Sequence, residues 1–262
     1  MQMKEMFSLR GKTAVVTGGS GYLGSCMVEA MLAHGANVTV ADPAEIPERL
    51  FPYKEKGKLY HVRCDVSDTE SICNMFERSA DNFGQLDILV NNANYGAGYG
   101  DTGIDKMSDK VWDIGIDGSV GTAFRCTRES ISYLRQNGGG SIVNIASMYG
   151  MVSPNPGIYG SSEANNPPNY GAGKSGVIQL TRYCAGHLAK DNIRANSVSP
   201  GPFPKPSQEY DQDFQNNLAD KTMLKRVGEQ HEVAGTIVFL ASSASGYVTG
   251  VNIAVDGGWT AW

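Results

Sequence analysis

Tyr170 and Lys174 stand four residues apart, so on a helix they share one face, one turn from each other. A free phenol has a pKa of about 10, too high for an efficient base at neutral pH. An ammonium group held beside it favours the phenolate and lowers that value. Such a pair can move a proton in either direction. Ser147 lies upstream, at the end of an apolar run. A second chemistry sits near the start, in Gly18-Gly19-Ser20-Gly21-Tyr22-Leu23-Gly24. Glycines spaced in this way permit a tight turn and let backbone N–H groups approach a pyrophosphate, while the helix that follows offers its positive end to the anion.

Asp42 lies 18 residues past Gly24, at the end of the next apolar run. A carboxylate there accepts hydrogen bonds from the adenosine ribose and repels a 2′-phosphate. No arginine follows it directly, so NAD(H) is expected rather than NADP(H). Asp65 and Val66 follow the third run, and Asn91, Asn92 and Ala93 the fourth, where an adenine and a ribose would lie.

These residues need elements to position them. Short apolar runs at 12–17, 37–41, 59–64, 86–91, 141–146, 193–198 and 252–255 read as strands. Helical spacing covers 22–34, 68–83, 119–136, 170–190 and 229–241. Strands so continuously apolar are covered on both faces, which implies one doubly wound α/β domain with a parallel sheet between helical layers. No linker or repeat divides the 262 residues. Residues 1–150 should form the cofactor half, and loops at about 151–169 and 200–222 the substrate side. Prolines fill 153–169 and open 200–213, which excludes regular helix or central strand at the start of the latter. Loops of this length face ligands more often than they idle.

Composition narrows the function classes. The chain is 41% hydrophobic and 19% charged with a net charge of -5, which suits a globular enzyme and opposes nucleic-acid binding. No apolar run reaches membrane-span length and no signal-peptide core is present, so a cytoplasmic location is expected. Cys26, Cys64, Cys73, Cys126 and Cys184 are scattered and odd in number, reading as reduced core residues. His34, His61, His187 and His231 have no metal-ligand spacing.

Thr17-Gly18 through Gly24, Asp65, Asn91-Asn92-Ala93, Ser147, Tyr170 with Lys174, Asn196 through Pro200-Gly201, and Val248-Thr249-Gly250 through Asp256-Gly257-Gly258 together resemble the short-chain dehydrogenase/reductase family, over nearly the full length. The resemblance is to its compact, single-domain branch, NAD(P)-dependent alcohol dehydrogenases and ketone reductases. It implies a Rossmann-like sheet of seven parallel strands and a homotetramer or dimer. It further implies that Ser147 donates to the substrate oxygen, that Tyr170 exchanges the proton, and that Lys174 tunes Tyr170 and holds the nicotinamide ribose. The cofactor contacts would be Gly18, Ser20, Gly21, Tyr22, Leu23, Gly24, Asp42, Asp65, Val66, Asn92, Ala93, Tyr170, Lys174, Pro200 and Gly201.

Spacing offers a rival. The family's serine usually precedes its tyrosine by about a dozen residues, a distance that Tyr159 fits. Glu163 follows it at i+4 and would raise its pKa, so Tyr170 keeps the role, with roughly ten residues inserted between. Tyr22 and Asn94 replace usual glycines, and residues 116–119 lack the asparagine that ordinarily holds a water in the proton relay, so either Ser119 or Asp117 substitutes or the relay differs. Pro-Phe-Pro after Gly201 replaces a usual threonine. Asn94, Tyr95, Tyr99, Asn155, Asn165, Asn166, Asn169 and Gln208 suggest a hydroxylated substrate: a sugar, sugar acid or polyol. Alternatives are a 3-oxoacyl thioester reductase, opposed by Asp42 and the acidic balance, and a nucleotide sensor without catalysis, opposed by the presence of both Tyr170 and Lys174.

Overall fold

The computed structural model describes residues 3–96, 103–160, 165–206 and 211–262. Seven strands form one parallel sheet: β1 Thr13–Thr17, β2 Asn37–Ala41, β3 Leu59–Val62, β4 Ile88–Asn91, β5 Gly140–Ile145, β6 Ile193–Pro200 and β7 Asn252–Val255. Their order is β3-β2-β1-β4-β5-β6-β7, so the winding reverses between β1 and β4. A crevice opens at such a reversal, beyond the carboxyl ends of the strands.

The helices are α1 Tyr22–Ala33, α2 Phe51–Glu55, α3 Thr69–Phe83, α4 Asp109–Ile116, α5 Thr122–Gln136, α6 Pro168–Leu188, α7 Gln212–Lys221 and α8 Gln230–Ala241. Side chains alternate along the strands, and that alternation sorts the core. Ala14 and Val16 join Met27, Met31 and Ile237 under α1 and α8, whereas Val15 joins Ile72, Phe76 and Leu134 under α3 and α5. Local chemistry sets several ends. Asp68 caps α3 by accepting from the N–H groups of Glu70 and Ser71, and Gly84, at φ 79°, closes it in the left-handed region. Glu229 and Glu232 cap α8 reciprocally.

Three helices, α2, α4 and α7, were not expected from sequence. The helix expected over 119–136 begins with a π-turn at Asp117–Gly121 and continues as α5, and α4 runs directly into that turn. Pro200 corrects another expectation: it is the last residue of the inner strand β6, paired with Val255. Its missing N–H is tolerated at the strand's end, where Gly201 resumes by donating to Val255 O at 2.9 Å. Among the described residues no helix is long and apolar enough to cross a membrane.

Candidate active site

The glycine turn follows β1 directly. Gly18 has φ 64°, a left-handed conformation that favours glycine. A Cβ on Gly24 would overlap the Gly18 carbonyl oxygen, so only glycine lets α1 start this close to the turn. No side chain caps α1, which leaves its first N–H groups, at Tyr22 and Leu23, aimed at the crevice as an anion site. Asn92 holds this turn from β4: its Nδ2 donates to Thr17 O at 3.1 Å and to Gly18 O at 2.9 Å. The Thr17 hydroxyl oxygen accepts from the N–H groups of Asn92 and Ala93, each at 3.1 Å.

A cleft of about 640 Å³ runs along these strand ends, lined by Gly18, Gly21, Asp42, Asp65, Val66 and Asn92 among others. Asp42 is almost buried, and its carboxylate accepts from Ser20 N at 3.0 Å and Ala44 N at 2.9 Å, which fixes its direction. Hydrogen bonds from the Ser67 hydroxyl and N–H hold the Asp65 carboxyl below the ordinary range. Asn91, unlike its neighbour, points into the sheet and donates to Asn144 Oδ1 at 2.8 Å and Thr127 Oγ1 at 3.0 Å. The glycine cradle, the uncapped helix end and the carboxylate beyond β2 are groups that would suit a dinucleotide. Pro200 and Gly201 lie at the end of β6, on the same edge of the sheet.

The second cluster stands across the crevice. Ser147 caps a short 3₁₀ turn just beyond β5, and Tyr170 opens α6, where Pro167 and Pro168 fix the entry. The structure brings the two side chains together, and the Ser147 hydroxyl favours the ionised form of the Tyr170 phenol. Lys174 Nζ lies 5.8 Å from the Tyr170 ring centre and donates to Ile145 O at 2.8 Å. Burial sets both ionisations. It raises the Tyr170 phenol, partly offset by the Ser147 hydroxyl, and it lowers the Lys174 ammonium to about 8. Desolvation is the largest influence on both groups.

The Asp117 carboxylate turns away from Lys174 to Arg125, at 2.6 and 3.0 Å, and to the Tyr95 hydroxyl, and the Arg125 hydrogen bond holds it below the ordinary range. Ser119 is the residue that faces α6. A Cβ on Gly173 would lie 2.6 Å from Ser119 Cβ, and Ser119 donates to Asn94 Oδ1 at 2.8 Å. The π-turn and the asparagine after β4 are thus one unit, packed against Gly173, the residue before Lys174.

Several residues expected to face substrate do not. Tyr95 is engaged by Asp117, Asn155 caps the turn at Pro156–Tyr159, and Asn169 is fully buried and donates to Val111 O. Asn165 and Asn166 line a separate cleft beside Tyr149. Tyr99, Glu163 and Gln208 lie outside the described residues. An aromatic group missed from sequence surrounds Tyr170 instead: Tyr149, Tyr159, Phe214 and Trp259 share its cluster. The one sequence signal was the rival spacing of Tyr159.

A family model described as enoyl-(acyl carrier protein) reductase matches residues 21–260. A tropinone reductase homolog of Arabidopsis thaliana is 36% identical over 97% of this chain and 92% of its own. The chain belongs to the short-chain dehydrogenase/reductase family. The 2-dehydro-3-deoxy-D-gluconate 5-dehydrogenase of Dickeya dadantii is 34% identical to this family member, over 97% of this chain and 98% of its own. A short-chain dehydrogenase of Leptospira borgpetersenii, solved with bound NAD+, superposes with a TM-score of 0.86 at 29% identity, covering 99% of this chain and 96% of that one. The protein is therefore an oxidoreductase of the NAD(P)-using kind, acting on a small molecule.

Proposed function

We propose that this enzyme is an NAD(H)-dependent oxidoreductase that interconverts a secondary alcohol and its ketone on a small polyhydroxylated substrate: a sugar, sugar acid or polyol. The observation that carries the proposal is Ser147, Tyr170 and buried Lys174 gathered at one point, with Lys174 Nζ 5.8 Å from the Tyr170 ring centre. A substrate oxygen placed between the two hydroxyls receives a hydrogen bond from Ser147, which stabilises the charge that develops on it. Tyr170 gives that oxygen a proton in reduction and takes it back in oxidation. Lys174 stabilises the phenolate that reduction leaves. When bound, the nicotinamide supplies the hydride chemistry at the substrate carbon.

Preference for NAD over NADP is supported by the lining of the nucleotide cleft. It holds the carboxylates of Asp42 and Asp65 and no Lys or Arg among its described residues. A 2′-phosphate would meet like charge there. The substrate class is supported by the sugar-acid dehydrogenase of Dickeya among the relatives. The same family membership favours a homo-oligomer, tetramer or dimer.

The test is turnover of NAD+ or NADH, followed by nicotinamide absorbance, over a panel of sugars, polyols, sugar acids and their ketones. Tyr170→Phe should lower kcat by about 10²–10⁴-fold with cofactor affinity kept, because the lost group transfers a proton and does little to hold the dinucleotide. Cofactor binding without turnover on any panel member would refute the enzyme and favour a nucleotide sensor.

A further inference from the structure

The walls of the nucleotide cleft are fastened from behind by one guanidinium. Arg125 stands in the first turn of α5, and only 15% of its side chain is exposed. Its Nη1 and Nη2 donate to the two carboxylate oxygens of Asp117, at 2.6 and 3.0 Å. Its Nε and Nη2 also donate to Val66 O, at 3.4 and 3.2 Å, and Nη2 reaches the Tyr95 hydroxyl oxygen at 3.3 Å. The Tyr95 hydroxyl in turn donates to Asp117. One side chain therefore joins the loop after β3, the loop after β4 and the π-turn. Gly121 leaves room for it, since a Cβ there would overlap the Asp117 carboxylate. An ion pair alone does not account for this arrangement. Nearly half of the Asp117 side chain is exposed, and a pair so placed adds little stability. A lysine would serve such a pair, whereas reaching Val66 O and Asp117 together takes the planar fork of a guanidinium.

Val66 and Tyr95 both line the 640 Å³ cleft, and Arg125 and Asp117 stand outside that lining. Asp42, the carboxylate placed to meet a ribose, lines it too, whereas Ser147, Tyr170 and Lys174 are not among the described residues that do. The cleft thus suits the adenosine half of a dinucleotide, away from the reacting end. Resting on that reading of the cleft, we infer that Arg125 is a positioning residue for the adenosine half of the cofactor: its fork sets the separation of the Val66 and Tyr95 walls without touching the nucleotide. A purine is a flat ring, and its contacts with a wall are short-ranged. A gap of about 0.5–1 Å already forfeits a quarter to a half of each contact. Without the guanidinium, Val66 O and the Asp117 carboxylate lose their donors behind the wall, and nothing then ties the two loops to the π-turn at this point.

The experiment titrates AMP by calorimetry and NADH by fluorescence into the wild type, Arg125→Met, Arg125→Lys and Asp117→Asn. Arg125→Met should weaken AMP about tenfold, the scale of one hydrogen bond to a charged group, and NADH by a similar factor, because the two ligands share the affected half. Arg125→Lys keeps a charge for Asp117 but cannot fork, so it should stay within about threefold of Arg125→Met. Asp117→Asn loosens the anchor of the fork and should weaken AMP by about threefold or more. Binding stoichiometry gives the folded fraction of each preparation, so each dissociation constant refers to folded protein. If Arg125→Met does not fold, Arg125→Lys and Asp117→Asn decide. AMP affinity left at the wild-type value in the variants, restored by Arg125→Lys, or kept while NADH alone weakens, overturns the inference and leaves the assignment of the cleft standing. A wild type that binds neither AMP nor NADH overturns that assignment, and this inference with it.

Discussion

Replacing Lys174 with methionine should make the protein more stable and nearly inactive. The side chain is almost fully buried, and its ammonium is held at about 8 instead of 10.5 by desolvation. That displacement corresponds to about 3 kcal/mol set against folding while the group is charged. The folded pKa is the lower one, so between about 8 and 10.5 the unfolded chain binds more protons than the native one, and this group's cost shrinks as pH rises through that window. Below 8 the cost is felt in full. Methionine keeps the length of the side chain and removes the charge, but gives up the hydrogen bond to Ile145 O, worth about 1 kcal/mol. Lys174→Met should therefore exceed the wild type by about 2 kcal/mol at pH 7, and the advantage should narrow by about 1 kcal/mol by pH 9. Urea midpoints at pH 7, 8 and 9 for both proteins measure this. Buried thiols and phenols titrate alike in the two and cancel in the difference. Turnover should fall by about 10²–10⁴-fold. A variant less stable than the wild type at pH 7, or a stability gap that stays flat with pH, refutes the desolvation account.

Gly24→Ala drives a Cβ into the Gly18 carbonyl oxygen and to 2.8 Å from Asn92 Nδ2, so the turn must open. NADH affinity, read by fluorescence titration, should weaken by about tenfold or more, with a lower melting temperature, because overpacking costs about 1–3 kcal/mol. Asp42→Asn removes the charge and keeps an acceptor for one of the Ser20 and Ala44 N–H groups, setting an amide NH2 against the other. The kcat/KM ratio of NADP+ to NAD+ should rise about tenfold, as expected when one close like charge is lost in a partly solvated cleft. An unchanged ratio would show that Asp42 does not select the cofactor.

Much of the fold and the site was legible along the chain, and particular residues show why. The strands of the sheet are short apolar runs, and their two-sided burial is encoded residue by residue, as in Ala14, Val15 and Val16. The glycine turn was legible because close backbone approach admits no side chain at Gly24. Tyr170 and Lys174 were legible because a helix fixes the geometry of i and i+4. What escaped depends on distant partners. Helix α4 spans only eight residues and is tied down by Asn169, 58 residues from Val111, whose Nδ2 donates to Val111 O. Asp117 looked available for a relay, yet Arg125 and Tyr95 claim it. Tyr95 and Asn155 looked like substrate contacts and serve instead to hold the chain.

By itself, then, the sequence determined which backbone conformations and which local pairs were possible: a parallel sheet, an anion-binding turn, a phenol one helical turn from an ammonium. Periodicity and steric exclusion act over a few residues, and those are written locally. Tertiary structure alone set the desolvation of that pair, because desolvation depends on everything packed around Tyr170 and Lys174. It also decided what surrounds the reacting centre. Tyr149, Tyr159, Phe214 and Trp259 come from four separate stretches of chain, and only the packing of α7 and the C-terminal segment against the inserted turn makes them one wall.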